Sequence, residues 1–192
     1  MSSLLIRLAA VLSTVTAVAC GGDDDGGSTA LEGIYELASW THNPDSCDSE
    51  GPADFEESNY THFFVKYESF FGEAFLTAVF CSEVDVCRAD AADDDTIHIG
   101  NFAFDDGDDV AGWTGRSFVL SIGDTSCSGS VYQARLTGDP GASVRIDEET
   151  RTVSDVPLDD MGECQDQVAY DQAAGLPCEE LSVVMGTFVE AI

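Results

Sequence analysis

Seven cysteines are the residues of this chain whose type and spacing suggest the most chemistry. Cys20 follows an apolar N-terminal stretch and stands apart from the rest. The other six are Cys47, Cys81, Cys87, Cys127, Cys164 and Cys178. An even set of six in an exported domain is typical of three disulfides. No pair has the CxxC spacing of a structural zinc site, so we expect disulfides and no metal at these thiols.

The first 19 residues have the pattern of a secretory signal peptide. Arg7 is the single cation, an apolar run extends from Leu8 to Val18, and the small residue Ala19 ends it. The run is shorter than the about 20 apolar residues that a transmembrane helix needs. We therefore expect residues 1–19 to be a cleaved leader and the protein to be exported.

Ala17-Val18-Ala19-Cys20 resembles the lipobox of bacterial lipoproteins. The resemblance implies that the leader is removed before Cys20 and that the thiol of Cys20 is acylated. Residues 20–30, which are rich in glycine and aspartate, are then a flexible acidic tether. Gly21 stands where inner-membrane lipoproteins have aspartate. We therefore expect an outer-membrane protein, lipid-anchored on the periplasmic face or the cell surface.

Acidic residues dominate the charge of the chain, with 37 Asp and Glu against 7 Lys and Arg, and a net charge of −30. Affinity for nucleic acid comes mainly from Lys and Arg, so nucleic acid is excluded as a partner. Anionic lipid surfaces repel such a chain, and contact with the membrane must come from the acyl anchor. A small apolar ligand or a protein remains as a partner.

Catalytic signatures are absent: the chain has no Gly-x-Ser-x-Gly, Ser-x-x-Lys or His-Glu-x-x-His motif. We expect no enzyme and no cofactor. The three histidines, His42, His62 and His98, are isolated on or beside predicted strands, and we expect no zinc site from them. The weak candidates for a calcium site are the carboxylates of the densest acidic loop, Asp105, Asp106, Asp108 and Asp109. Their spacing does not fit an EF-hand, so we expect a solvated turn.

Period-two alternation from Leu31 onward predicts a mainly β domain over residues 31–192. In the first strand, Leu31 to Thr41, this alternation places Trp40 on the opposite side from Tyr35. The strands predicted after it are 60–67, 74–81, 96–104, 113–122, 130–137, 144–146, 152–156 and 181–189. Asp147-Glu148-Glu149 is predicted as a hairpin turn. One short helix is expected over 165–174, ended by Gly175 and Pro177.

The inventory predicts a single antiparallel barrel or sandwich of about eight to ten strands with one short helix near the C-terminus. Gly33-Ile34-Tyr35 opens the first strand, and a helix precedes the last one. In these features the chain resembles the lipocalins. The resemblance implies a lipocalin-like barrel over residues 31–192.

For the disulfides, sequence proximity favours Cys81 with Cys87 across a turn. We expect Cys164 to pair with Cys178 around the predicted helix, and Cys47 to pair with Cys127 by elimination.

The leading hypothesis is a lipid-anchored, non-catalytic binding or structural module of the cell envelope. The alternative is a carrier of a small apolar ligand, for which an aromatic set is available to line a cavity or fill a core: Phe63, Phe64, Tyr67, Phe70, Phe71, Phe75 and Phe80. A cell-envelope enzyme without a recognisable motif is the third possibility.

Overall fold

A computed structural model describes residues 29–52, 59–70, 73–93, 102–123 and 125–192. The described strands are β1 Gly33–Asn43, β2 His62–Phe70, β3 Glu73–Cys81, β4 Phe102–Phe104, β5 Asp106–Asp108, β6 Gly112–Ile122, β7 Ser126–Asp139, β8 Ser143–Pro157 and β9 Glu180–Glu190. The two described helices are α1 Val84–Ala91 and α2 Asp166–Ala174. The fold is mainly β, as predicted. Among the described residues, no helix is long and apolar enough to cross a membrane.

All nine described strands form one antiparallel sheet in the order β4-β3-β2-β1-β9-β8-β7-β6-β5. Strands adjacent in the chain are adjacent in the sheet, except β4 and β5, which lie at its two edges. One pair in the sheet is not consecutive in the chain. The first strand pairs with the last from Ile34 opposite Glu190 to Asn43 opposite Leu181. This long-range pairing joins the two halves of the sheet, whose edges meet to give a nearly closed barrel. Of the predicted alternatives, barrel or sandwich, the structure is the barrel.

The chain between Phe102 and Asp108 brings the two edges of the sheet together. β4 pairs with β3, with Phe104 opposite Leu76. Two residues later β5 pairs with β6, with Asp106 opposite Thr114. Between the two strands, the backbone N–H of Asp105 donates to the carbonyl oxygen of Thr114 at 2.9 Å. One short segment therefore holds both sides of the seam. β5 was not predicted, because its Asp and Gly residues indicate a turn when read alone.

Gly115 permits the close approach of β4 to β6 at this seam. A Cβ at position 115 would overlap the carbonyl oxygen of Ala103. Backbone atoms in a paired strand move less readily than a flexible side chain, so the overlap cannot be relieved locally.

We expect Gly115→Ala to open the seam and lower the free energy of unfolding by about 1 to 3 kcal/mol, the usual cost of overpacking. Urea unfolding measures the change. Gly175→Ala is the matched control, because a Cβ there meets its nearest atom, the carbonyl oxygen of Gln172, at an ordinary 3.6 Å. Equal stability of the two variants would contradict this account of the seam.

Apolar side chains that alternate onto the inner wall fill one half of the barrel. Tyr35, Phe63, Phe104 and Leu136 are each completely buried there. Tyr35 stacks on Phe63 with ring centroids 5.5 Å apart. Gly186 on β9 leaves the space that the ring of Phe63 occupies, since a Cβ at that position would overlap it. This half of the barrel is a packed core.

A bulge in β1 changes which residues face inward. The pairing with β9 shifts register between Leu37 and Ser39. An extra residue in one strand moves the following side chains to the other face. Trp40 consequently packs in the same buried cluster as Tyr35. The prediction that Trp40 and Tyr35 lie on opposite sides was wrong, because strict alternation does not anticipate a bulge.

Both helices pack on the outside of the barrel. α1 covers Ile34 and Phe64, and its own residues Cys87 and Ala91 are buried against them. α2 covers Val131 and Val153 on the outer face of β7 and β8. The position of α2 agrees with the predicted helix. α1 was not predicted: it has only eight residues, and its valines favour strands, so packing and a disulfide stabilise it more than propensity does.

Three disulfides stabilise the segments that connect the strands. Cys81 pairs with Cys87 across the turn into α1, as predicted, with 5.4 Å between their Cα atoms. Cys127 pairs with Cys164 and Cys47 with Cys178, with Cα separations of 5.9 and 5.8 Å. The predicted pairs Cys164–Cys178 and Cys47–Cys127 were wrong.

The sheet register explains this correction. Asn43 lies opposite Leu181, so the loop after β1 and the segment before β9 leave the barrel side by side, each with a cysteine. Leu158 at the end of β8 bridges to Cys164, which places that thiol beside the start of β7. Elimination along the sequence cannot anticipate contacts that depend on which strands are neighbours.

The predicted hairpin at Asp147-Glu148-Glu149 was also wrong: β8 runs unbroken from Ser143 to Pro157. Its acidic centre is paired on both sides, with β7 and with β9. Arg145 donates to Asp147 at 2.9 Å, and Arg151 binds Glu149. Each arginine lies two positions from the carboxylate that it binds, on the same outward face of the strand. The two pairs compensate the negative charge and allow a strand where the sequence indicates a turn.

Candidate binding site at the open end of the barrel

The inner wall of the barrel changes from apolar to polar within two residues along β8 and β9. One layer consists of Leu136, Ile146 and Val184, which lie opposite one another on β7, β8 and β9 and are fully buried. The next layer contains Glu148 and Ser182, which also lie opposite each other and are only partly buried. Water therefore reaches the interior at this end, which we call the open end.

His42 continues the polar layer onto β1, where it lies opposite Ser182. The imidazole Nδ1 and the hydroxyl oxygen of Ser182 are 3.0 Å apart. The imidazole Nε2 lies 4.0 Å from a carboxylate oxygen of Glu180. On β7, the partly buried Tyr132 is the next inward residue after Ala134. The open end thus presents hydroxyl, imidazole and carboxylate groups from adjacent strands.

Aromatic rings form the other side of the open end. Trp40 stacks on Phe80 with centroids 4.6 Å apart and an interplanar angle of 17°. Tyr60 lies 5.8 Å from Phe80 and is 43% exposed. Phe102 extends the group on β4, with its centroid 6.1 Å from that of Phe80. An amphiphilic lining of this kind suits a ligand that has both an apolar face and polar substituents.

The aromatic set predicted from sequence is divided by the fold. Phe63, Tyr67 and Phe80 belong to the interior cluster, whereas Phe64 packs outside under α1. Phe71 lies outside the described residues, and nothing is described of the side chain of Phe70. Trp40, Glu148 and Ser182 were not predicted as site residues. For Trp40, the sequence offers only an aromatic residue two positions before His42 as an indication.

The predicted histidines are not brought together by the described structure. His42 lies on the inner wall, whereas His62 lies opposite Cys81, whose side chain packs outside with α1. His98 lies outside the described residues, as does Cys20. Within the described ranges, no three His, Cys, Asp or Glu side chains converge in a way that could hold a metal ion.

The opposite end of the barrel is closed by its own chain. The carboxylate of Asp109 accepts hydrogen bonds from the hydroxyl of Thr29, from the backbone N–H of Ala30 at 2.8 Å and from Trp113 Nε1 at 3.0 Å. We call this arrangement the Asp109 clasp. Leu31, the next residue, is fully buried in the core. Thr29 and Ala30, placed by sequence at the end of the tether, therefore attach to the barrel.

Tyr35 reinforces the closed end from inside. Its hydroxyl donates to the carbonyl oxygen of Leu31 at 2.7 Å. Burial, and to a smaller extent the negative charge of Asp109, raises the pKa of Tyr35 to about 12. The phenol consequently stays protonated at physiological pH and remains a hydrogen-bond donor. The rings of Tyr67 and Trp113 meet edge to face, with centroids 6.4 Å apart, so aromatic rings also occupy this end.

The four candidate calcium ligands have different environments. Asp109 forms the clasp, and a carboxylate oxygen of Asp108 accepts from the backbone N–H groups of Val110 and Ala111 at 2.8 and 2.6 Å. Asp105 and Asp106 are exposed. These local bonds give Asp108 and Asp109 structural roles in the turn that leads from β5 into β6.

The clasp makes the stability of the barrel depend on pH. Burial raises the pKa of Asp109, but the hydrogen bonds from Thr29, Trp113 and Ala30 outweigh it, and the pKa lies below its ordinary value. A carboxylate with a depressed folded pKa contributes stability at pH values above its unfolded pKa. That contribution is lost as the pH falls through the folded pKa.

We expect Asp109→Asn to lower the free energy of unfolding at pH 7 by roughly 1 to 2 kcal/mol, because hydrogen bonds to a charged group are replaced by weaker ones. The difference from the wild type should shrink as the pH falls through the lowered pKa of Asp109, where the wild-type carboxylate becomes protonated as well. Urea unfolding at pH 7 and at successively lower pH values measures it, with Asp106→Asn as the matched exposed control. A difference that stays constant with pH would contradict this role.

Comparison with protein-family models, with curated proteins and with solved structures finds no match to this chain.

Proposed function

We propose that this protein is a lipid-anchored, non-catalytic binding module of the cell envelope that takes its ligand at the open end of the barrel. The observation that carries the proposal is the change along the inner wall, from the buried Ile146 and Val184 to the partly exposed Glu148 and Ser182. Polar groups placed inside a barrel and reached by water can form hydrogen bonds to a ligand, and they are suited to selecting one.

The alternative of a deep carrier for an apolar molecule has less support. In the half of the barrel beyond Val184, large side chains occupy the interior, among them Tyr35, Phe63, Leu76 and Phe104, all fully buried. A ligand would therefore reach only the aromatic group around Trp40 and Phe80. This favours a shallow site for an amphiphilic ligand, in a lipocalin-like barrel that is open at one end only.

The anchor is proposed from the leader, the resemblance of Ala17–Cys20 to a lipobox and the charge of the chain. With a net charge of −30, the protein has no electrostatic attraction to anionic lipid, and a covalent lipid is needed to hold it at the membrane.

Changing Cys20→Ser should remove acylation and release the protein from the membrane fraction into the soluble fraction. Fractionation of cells that express either form, with a high-salt wash and immunodetection, measures the shift. The wild type should resist the wash because acyl chains are insensitive to ionic strength. Retention of the Cys20→Ser protein in the washed membranes would contradict lipid anchoring.

Ligand binding at the open end can be tested with two neighbouring carboxylates on opposite faces of β8. Glu148 faces the interior, and Glu149 faces outward and binds Arg151. Native mass spectrometry of the protein purified from its own envelope should detect a bound small molecule in the wild type. We expect Glu148→Gln and Trp40→Ala to lose most of it and Glu149→Gln to retain it.

Two outcomes would contradict binding at the open end. One is an equal amount of the bound species in all three variants. The other is a wild-type protein that carries no such species and is not stabilised against heat by any member of a panel of small amphiphiles.

A further inference from the structure

The two ends of the barrel differ in their connection to the N-terminus. The Asp109 clasp holds Thr29 and Ala30 at the closed end, where β1 begins. Leu31 is buried directly behind them. Any chain that precedes Thr29 therefore leaves the barrel at the closed end, on the side away from Glu148 and Ser182.

Covalent geometry limits how far the closed end can lie from an anchor at Cys20. Eight residues lie between Cys20 and Thr29, which makes nine steps along the chain. A fully extended step spans at most about 3.6 Å, so the separation cannot exceed about 32 Å. The eleven residues of β1 extend about 36 Å along the strand. At the strand tilt usual in barrels, this places the open end roughly 25 to 30 Å beyond the closed end.

We propose that the Asp109 clasp seats the barrel with its closed end toward the membrane and its open end toward the aqueous compartment. The inference rests on the lipid anchor of the proposed function. It deepens that function by naming the source of the ligand, because an open end that faces away from the bilayer takes a water-soluble amphiphile from solution and does not extract a membrane lipid.

Charge does not distinguish the two ends. Glu148 and Glu180 lie at the open end, and the exposed Asp106 and Asp108 lie beside Asp109 at the closed end. The orientation therefore depends on where the chain is attached. Hydrogen bonds from Thr29, Ala30 and Trp113 to Asp109 fix the point at which the chain enters the barrel.

The two tryptophans of the chain report on the two ends. Trp113 belongs to the clasp and Trp40 to the open end, so Trp40→Phe leaves a reporter at the closed end and Trp113→Phe leaves one at the open end. The Trp113→Phe variant loses one of the three donors to Asp109 and keeps an aromatic ring for Tyr67. The acylated full chain is reconstituted into phosphatidylcholine vesicles with a dansyl-labelled headgroup lipid as energy acceptor.

We expect energy transfer from Trp113 to exceed transfer from Trp40 several-fold, because transfer falls steeply with distance. Adding Asp109→Asn to either single-tryptophan protein should reduce the difference, and Asp106→Asn should not. Thr29→Val, which removes only the hydroxyl donor, provides a second and milder break of the clasp if Asp109→Asn does not fold.

The outcomes separate the orientation from the anchor. Equal transfer from both tryptophans, or stronger transfer from Trp40, in protein recovered with the vesicles would overturn the orientation and leave the anchor standing. An acylated chain that is recovered in the soluble fraction, with no transfer from either tryptophan, would overturn both. Unchanged transfer after both clasp substitutions would show that the clasp does not set the orientation.

Discussion

Closure of the barrel by one short segment is the constraint on which the rest of the structure depends. The chain from Phe102 to Asp108 pairs with β3 and then with β6, so the same few residues hold both edges of the sheet. The pairing of β1 with β9 closes the circle on the other side. An unpaired edge exposes backbone donors and acceptors, and closure satisfies them while it defines an interior. Gly115 belongs to this constraint because only a residue without a side chain lets the strands meet at the seam.

Closure also makes the two ends unequal. The turn that follows β5 carries Asp109 to the end of the barrel where the chain enters, and there one carboxylate binds both the entering segment and Trp113. Aromatic rings occupy the interior behind it. At the other end the inward positions hold Glu148, Ser182 and His42. Polar groups can occupy these positions because they are only partly buried. A barrel that is packed at one end and polar at the other has a direction, and the proposals on ligand and orientation follow from that direction.

The two helices and the three disulfides stabilise the barrel from outside. Each helix covers apolar residues that alternate outward, such as Phe64 beneath α1 and Val153 beneath α2. Two disulfides tie a helix or a connection to a strand. The third and longest, between Cys47 and Cys178, joins two connections and closes a loop across most of the domain, with a sequence separation of 131. Long closures restrict the unfolded chain most. Stability supplied from outside leaves the residues of the open end available for roles other than packing.

The strand-rich class, the helix before the last strand, the Cys81–Cys87 pair and the acidic charge can be predicted from the sequence, because alternation, turn residues and short spacings are local properties. The other two disulfides, the unbroken β8 and the inward position of Trp40 cannot. Each of these depends on which strands are neighbours and on a bulge in β1, and a period-two pattern is the same with or without them. The open end has the same origin: Glu148 resembles any other residue of an acidic turn until pairing with β9 turns it inward beside Ser182. Residues far apart in sequence form the site because the pairing of strands within the barrel sets their register.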